Sequence, residues 1–147
     1  MLPTQPIGFE IKTVSNLIMR NMDSKLAKIH NKNFTKMHGW ITRYIHEESK
    51  NRDVFQKDIE NEFKIRRSTA TGILQLMEKN GYINRLPVAH DARLKKLVLT
   101  QKAIDLNAEI RKNINEFEHE LSDCLTKEEQ EMFFQITAKL RKKLEQN

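Results

Sequence analysis

The chain has 147 residues, 38% of them hydrophobic, and carries 26 basic against 20 acidic side chains for a net charge of +6. This length suits one folded domain and leaves no room for a catalytic domain beside a binding one. Its lone cysteine, Cys124, excludes an intrachain disulfide, no Cys/His cluster has structural-zinc spacing, and no apolar run reaches membrane-spanning length.

The opening residues have no basic region followed by an apolar segment, so a soluble cytoplasmic protein with no membrane partner is expected. After Pro3 and Pro6, residues Ile11, Val14, Ile18, Met22, Leu26 and Ile29 recur at helical spacing and predict an amphipathic helix over about 9–31. Met37, Ile41, Tyr44 and Ile45 predict a second helix over about 35–49, and Val54, Ile59 and Phe63 a short third over about 55–62. A fourth, over about 67–80, holds Ile73, Leu74 and Met77 and stops at Asn80-Gly81. Tyr82–Leu86 and Lys96–Leu99 read as strands, joined by a loop with Pro87, His90 and Asp91 and with Arg93 near its tip.

Helical periodicity returns from Thr100, with Ala103, Leu106, Ile110, Ile114, Phe117, Leu121 and Leu125 on one face. Thr126 and Glu129 form a capping-box pattern, opening a last helix to about 144 on Met132, Phe133, Ile136, Leu140 and Leu144. The predicted fold is mainly α with a small β-hairpin wing. A winged helix-turn-helix over 35–100 is flanked by helical dimerisation regions at 1–34 and 101–147, in one interwoven domain. A helix of about twenty residues is about 30 Å long, more than a small winged core covers, so the terminal apolar faces need another surface. A second copy of the chain provides it economically; a monomeric bundle of folded-back terminal helices is the alternative.

The charge is not spread evenly. Residues 1–50 and 51–100 each carry a net +4 and residues 101–147 a net −2, while 64–96 alone reach +6. The positive field therefore centres on the fourth helix and the hairpin, as expected for a protein that follows a phosphate backbone. Arg66, Arg67, Ser68, Thr69 and Thr71 stand at the start of that helix, where they meet base edges or phosphates if it enters a major groove, with Gln75 as a further reader of adenine. Arg93, Lys95 and Lys96 place a basic arm alongside, and Asp91 is better suited to orienting Arg93 than to facing phosphate.

The run Ile65, Arg67, Ser68, Thr69, Ala70, Thr71, Ile73, Leu74, Met77, Glu78, Lys79, Gly81, Tyr82, Ile83 is followed by Asp91, Arg93, Lys95, Leu97, Leu99 and Thr100. These two blocks, at this separation and inside this helical frame, resemble the MarR family of bacterial winged helix-turn-helix regulators over essentially the whole chain. The resemblance implies a homodimeric repressor on a pseudo-palindromic operator, with Arg93 in the wing contact. A winged-helix architectural or replication-associated adaptor without ligand control is the other reading. The chain departs from the family pattern at Lys64, where glycine is common in the turn, at Arg66, where a serine or threonine cap is usual, and at Gly72 and Leu76, where basic side chains are frequent. These departures bear on which operator is bound.

In the resembled family an interhelical crevice receives small aromatic or amphipathic effectors that release DNA. Met19, Met22, Phe34, Met37 and Trp40 supply adaptable apolar and aromatic surface around the first two helices, and His38 a polar contact; a filled core is the alternative. No local pattern joins a nucleophile, a base and an orienting group, so no enzyme and no cofactor are expected. His38 and His46 with Glu47 and Glu48, and His119 among Glu116, Glu118 and Glu120, read as ordinary surface or partly packed histidines, a regulatory divalent metal joining these helices being the alternative, and Cys124 between Leu121 and Leu125 reads as a packed thiol.

Overall fold

The computed structural model describes residues 5–146. Six helices and one antiparallel hairpin follow in the order α1 (Ile7–Leu26), α2 (Lys36–Glu48), α3 (Gln56–Phe63), α4 (Arg67–Lys79), β1 (Ile83–Val88), β2 (Asp91–Leu99), α5 (Gln101–Asp123) and α6 (Lys127–Glu145). The chain divides into two compact units, the second beginning at Lys112 within α5.

In the first unit, α1 starts directly after Pro6 and ends at Leu26, short of the expected 31; Pro3 lies outside the described residues. At the end of α1 the amides of Ala27 and Ile29 turn to carbonyls three residues back, at Ser24 and Leu26, and beyond it Asn31 Oδ1 accepts from the amides of Asn33 (2.8 Å) and Phe34 (3.1 Å). This side-chain turn competes with helical hydrogen bonds and re-aims the chain. Thr35 then caps α2 with a box closed by histidine: Thr35 Oγ1 accepts from the His38 amide, and His38 Nδ1 accepts from the Thr35 amide at 3.1 Å.

Arg52 ties the end of α2 to the start of α3. Its guanidinium meets Glu48 and Asp58, each at 3.0 Å, and donates to the Tyr44 hydroxyl at 3.1 Å. Asp58 also accepts from the Phe55 amide at 2.8 Å, which satisfies a first-turn donor of α3. The turn from α3 to α4 passes through Lys64, the one described non-glycine residue with a left-handed backbone (φ 51°).

The hairpin pairs Ile83 with Leu99 through Pro87 with Lys95, then shifts register before Val88 meets Asp91. Its base gains a third short partner, because Leu97 N donates to Val54 O at 2.7 Å and Phe55 bridges Lys96. Phe34, Ile41, Ile45, Val54, Ile59, Leu74, Met77 and Ile83 are the largest fully buried apolar side chains of this unit. They fix α2, α3, α4 and the hairpin on one core, which sets the angle between α4 and the wing.

In the second unit α6 opens with the expected capping box, Thr126 Oγ1 accepting from Glu129 N and Glu129 Oε2 from Thr126 N. None of its described residues is buried. Among the described residues no helix is long and apolar enough to cross a membrane.

Candidate nucleic-acid interface

The helical period divides α4 cleanly. Ala70, Leu74 and Met77 are buried, whereas Arg67, Ser68, Thr69, Gly72, Gln75, Leu76 and Lys79 are exposed. Arg66 is the N-cap and makes no side-chain cap, and the first turn contains no acidic residue. The first amides of α4 therefore face outward with the positive end of the helix dipole, beside two guanidinium groups. This is a local field suited to phosphate.

Thr71 is a different case from Ser68 and Thr69. It is half-buried, and its hydroxyl accepts from Gln56 Nε2 at 2.9 Å; the same amide reaches the Arg67 carbonyl at 3.4 Å. Thr71 thus locks α3 to α4, which corrects its expected place beside the exposed hydroxyls. The signal was its helical phase, which sets it on the opposite side of α4 from Thr69, two positions away, and one turn before the buried Leu74.

The wing also differs from expectation. Its strands extend to Val88 and from Asp91, so the tip is Ala89-His90, and Arg93 lies within β2 rather than in a loop. The register shift after Pro87 lets the ladder continue past a residue that lacks an amide donor. Asp91 Oδ1 accepts from the Arg93 amide at 2.9 Å, so Asp91 acts on the backbone of Arg93 and not on its guanidinium.

Basic side chains separate into tethered and untethered groups. Lys96 lies 3.5 Å from Asp53, and Arg85 lies 3.7 Å from Glu78. Among the described residues no ion pair holds Arg66, Arg67, Arg93 or Lys95, and all four are exposed. The positive field available to a partner is therefore narrower than the +6 of residues 64–96 and centres on the start of α4 and on β2.

The six apolar and aromatic positions around α1 and α2 do not share one environment. Phe34 is fully buried, with the rings of Tyr82, His38 and His30 at centroid distances of 4.8, 6.0 and 6.4 Å. His38 is buried and occupied by its capping role, so neither residue is free to face a ligand in this conformation. Met22 and Met37 are half-buried, while Met19 and Trp40 are exposed, Trp40 by 54%. Burial lowers the pKa of His38 below its usual value, and burial followed by Lys36 does the same to His30.

A cavity of about 280 Å³ that sequence reasoning did not find lies elsewhere, where His46, Asp53, Val54, Lys96, Val98 and Ile104 converge. It depends on β2 meeting the end of α2, and no local pattern announces such a meeting. Cys124 is exposed, contrary to the expected packed thiol; it follows the end of α5, and its Sγ donates to the Leu121 carbonyl at 3.0 Å. The described residues contain no group of three metal-ligating side chains.

Comparison with known proteins matches residues 38–94 to the MarR family model. The transcription regulator MarR from Oenococcus oeni is 31% identical, with 93% of this chain and 99% of that one covered and a TM-score of 0.59. The Staphylococcus aureus regulator MepR is similar in two states. A mutant form of it bound to an oligodeoxyribonucleotide is 25% identical, covering 97% of this chain and 98% of that one with a TM-score of 0.70. MepR bound to ethidium bromide is 25% identical, covering 97% and 96% with a TM-score of 0.71.

Proposed function

Since the chain belongs to the MarR family of winged-helix regulators, which bind DNA and are not enzymes, we propose that it is a homodimeric repressor of a pseudo-palindromic operator, released by a small ligand. The observation that carries the reading is the untethered cluster of Arg66, Arg67, Ser68 and Thr69 at the open start of α4, with Arg93 and Lys95 on the neighbouring strand. In this reading α4 enters a major groove, with Gln75 further along its exposed face, and β2 follows the adjoining backbone or minor groove. Lys96 reaches phosphate only by leaving Asp53, and Thr71 supports the reader from behind.

Dimerisation is supported by the apolar surface of α1 and of α6. Ile7, Phe9, Ile11 and Leu17 on the first, and Met132, Phe133, Phe134 and Ile136 on the second, are all exposed in the isolated chain. A symmetric pair covers such faces and sets two α4 helices on one side of a duplex. The oligonucleotide and ethidium complexes of MepR support DNA binding and response to a lipophilic cation or another aromatic ligand. For the ligand, Met19, Met22, Met37 and Trp40 remain available surface, while Phe34 and His38 take part only if the α1–α2 turn rearranges.

Selection of genomic fragments with the purified full chain tests the proposal. Enrichment of a short inverted repeat is expected. Uniform, salt-sensitive retention of all fragments would favour an architectural DNA-binding role instead.

A further inference from the structure

Gly72 occupies the middle of the exposed arc of α4. At about 100° per residue it lies between Ser68, Gln75, Leu76 and Lys79, all exposed, and opposite Ala70, Leu74 and Met77, all buried. A Cβ built on Gly72 meets no atom from beyond its own turn within 4 Å, and its backbone is ordinary right-handed helix. Neither packing nor conformation asks for glycine here. Glycine inside a helix is also unfavourable relative to alanine, since it adds entropy to the unfolded chain.

One turn further on, Leu76 is 39% exposed on the same face. It is the one large apolar side chain exposed on α4, whose other exposed positions are Arg67, Ser68, Thr69, Gly72, Gln75, Glu78 and Lys79. The centre of the reader is thus short, uncharged and partly apolar, and the guanidinium groups sit at its start. A shape of this kind suits a groove that the helix enters closely.

We infer that Gly72 and Leu76 set the sequence preference of the reader. The absent side chain at Gly72 lets the backbone of α4 approach the floor of the major groove, and Leu76 packs on the 5-methyl group of a thymine. Thymine is the one base that offers an apolar group in that groove. The inference rests on the DNA-binding reading above and deepens it, because it names the base class selected at the centre of each half-site.

The test begins with selection from a randomised inverted-repeat pool by the full-length protein. Affinity is then measured by fluorescence anisotropy at fixed salt for the wild type, Gly72→Ala and Leu76→Ala. Gly72→Ala is expected to raise Tm by about 2–4 °C, since alanine favours helix, yet to weaken the selected site at least about tenfold by overpacking the interface. Its binding to random duplex should stay within about twofold, because phosphate contacts carry no sequence information. Replacing one thymine per half-site by deoxyuridine removes only the methyl group. This should weaken wild-type binding about fourfold for each methyl and leave Leu76→Ala unaffected.

Equal losses on selected and random duplex, unchanged affinity in Gly72→Ala, or deoxyuridine losses that add fully to those of Leu76→Ala would each overturn the inference while leaving the regulator intact. A wild-type protein that enriches no sequence overturns both readings. Because Gly72→Ala is expected to be the more stable protein, a loss of binding in it cannot be assigned to unfolding.

Discussion

Arg93 and His38 are the two side chains whose surroundings most directly constrain what they do. The Asp91 carboxylate holds the Arg93 amide where β2 begins, so the guanidinium starts from a fixed backbone, exposed and held by no ion pair among the described residues. Arg93→Ala is expected to weaken operator binding by about 1–3 kcal/mol, roughly five- to 150-fold, with Tm unchanged, as measured by anisotropy and thermal unfolding. His38 is buried, accepts the Thr35 amide through Nδ1 and lies against Phe34. A protonated imidazole cannot accept that bond, and burial also holds its pKa below 6.5. Between the folded and unfolded values the unfolded chain binds more protons. The stability from this site is therefore complete above about pH 6.5 and is lost as pH falls through the folded value. His30, lowered in the same direction, adds to the slope. Thermal unfolding across about pH 7 to 5 should show a falling Tm, and the fall should be shallower in His38→Gln, which keeps an acceptor for the capping box without titrating there. An equal slope in that variant would remove His38 from the acid response.

At the level of elements, the turn between α3 and α4 carries a cost that the sequence already marked. Lys64 stands in the left-handed region, where a Cβ is unfavourable by roughly 1–2 kcal/mol, and glycine there gives part of that back as unfolded-state entropy. Lys64→Gly is expected to gain about 0.5 kcal/mol in urea unfolding and to flatten the salt dependence of DNA binding slightly, since one cation is removed beside Arg66 and Arg67. A loss of stability would mean that the lysine side chain makes a compensating contact. The helices themselves were legible because Ile41, Ile45, Leu74 and Met77 repeat with the period of a buried face, and Thr126 with Glu129 names a helix start outright. What escaped was decided by contacts between elements or by side-chain turns. Beyond α1, Asn31 turns the chain by bonding amides that a hydropathy pattern ignores, and the ladder carries both strands past Pro87 and Arg93 through a register shift. Gln56 claims Thr71 from a neighbouring helix. The basic and hydroxyl residues of the interface could be located from sequence, but their division into tethered and untethered groups required Asp53 and Glu78 to be placed in space.

For the whole molecule, the decisive quantity is how much apolar surface the isolated chain leaves in water. Phe134 is 66% exposed and Leu144 72%, α6 buries none of its described residues, and α1 shows Ile7, Phe9 and Leu17 to solvent. Single exposed apolar side chains are ordinary, but two helices that each present a run of them predict an interface larger and more apolar than that of a transient complex. Sedimentation should therefore give about 35 kDa, twice the 17.4 kDa of one chain. Phe134→Glu puts a carboxylate on such a face at an exposed position whose ring meets that of its neighbour Phe133 edge-on at 5.5 Å. Burying it in a dimer would cost several kcal/mol unless the group stays protonated, so the variant should sediment near the single-chain mass at micromolar concentration while keeping its helical circular dichroism. Its loss of operator affinity should be far greater than its loss for a single half-site, because two readers on one body bind the second half-site at a high effective concentration and two separate readers do not. If Phe134→Glu remains a dimer, α6 is not the covered face and the interface must be sought on α1; if the wild type itself is monomeric yet binds an intact inverted repeat tightly, the symmetric-dimer reading fails.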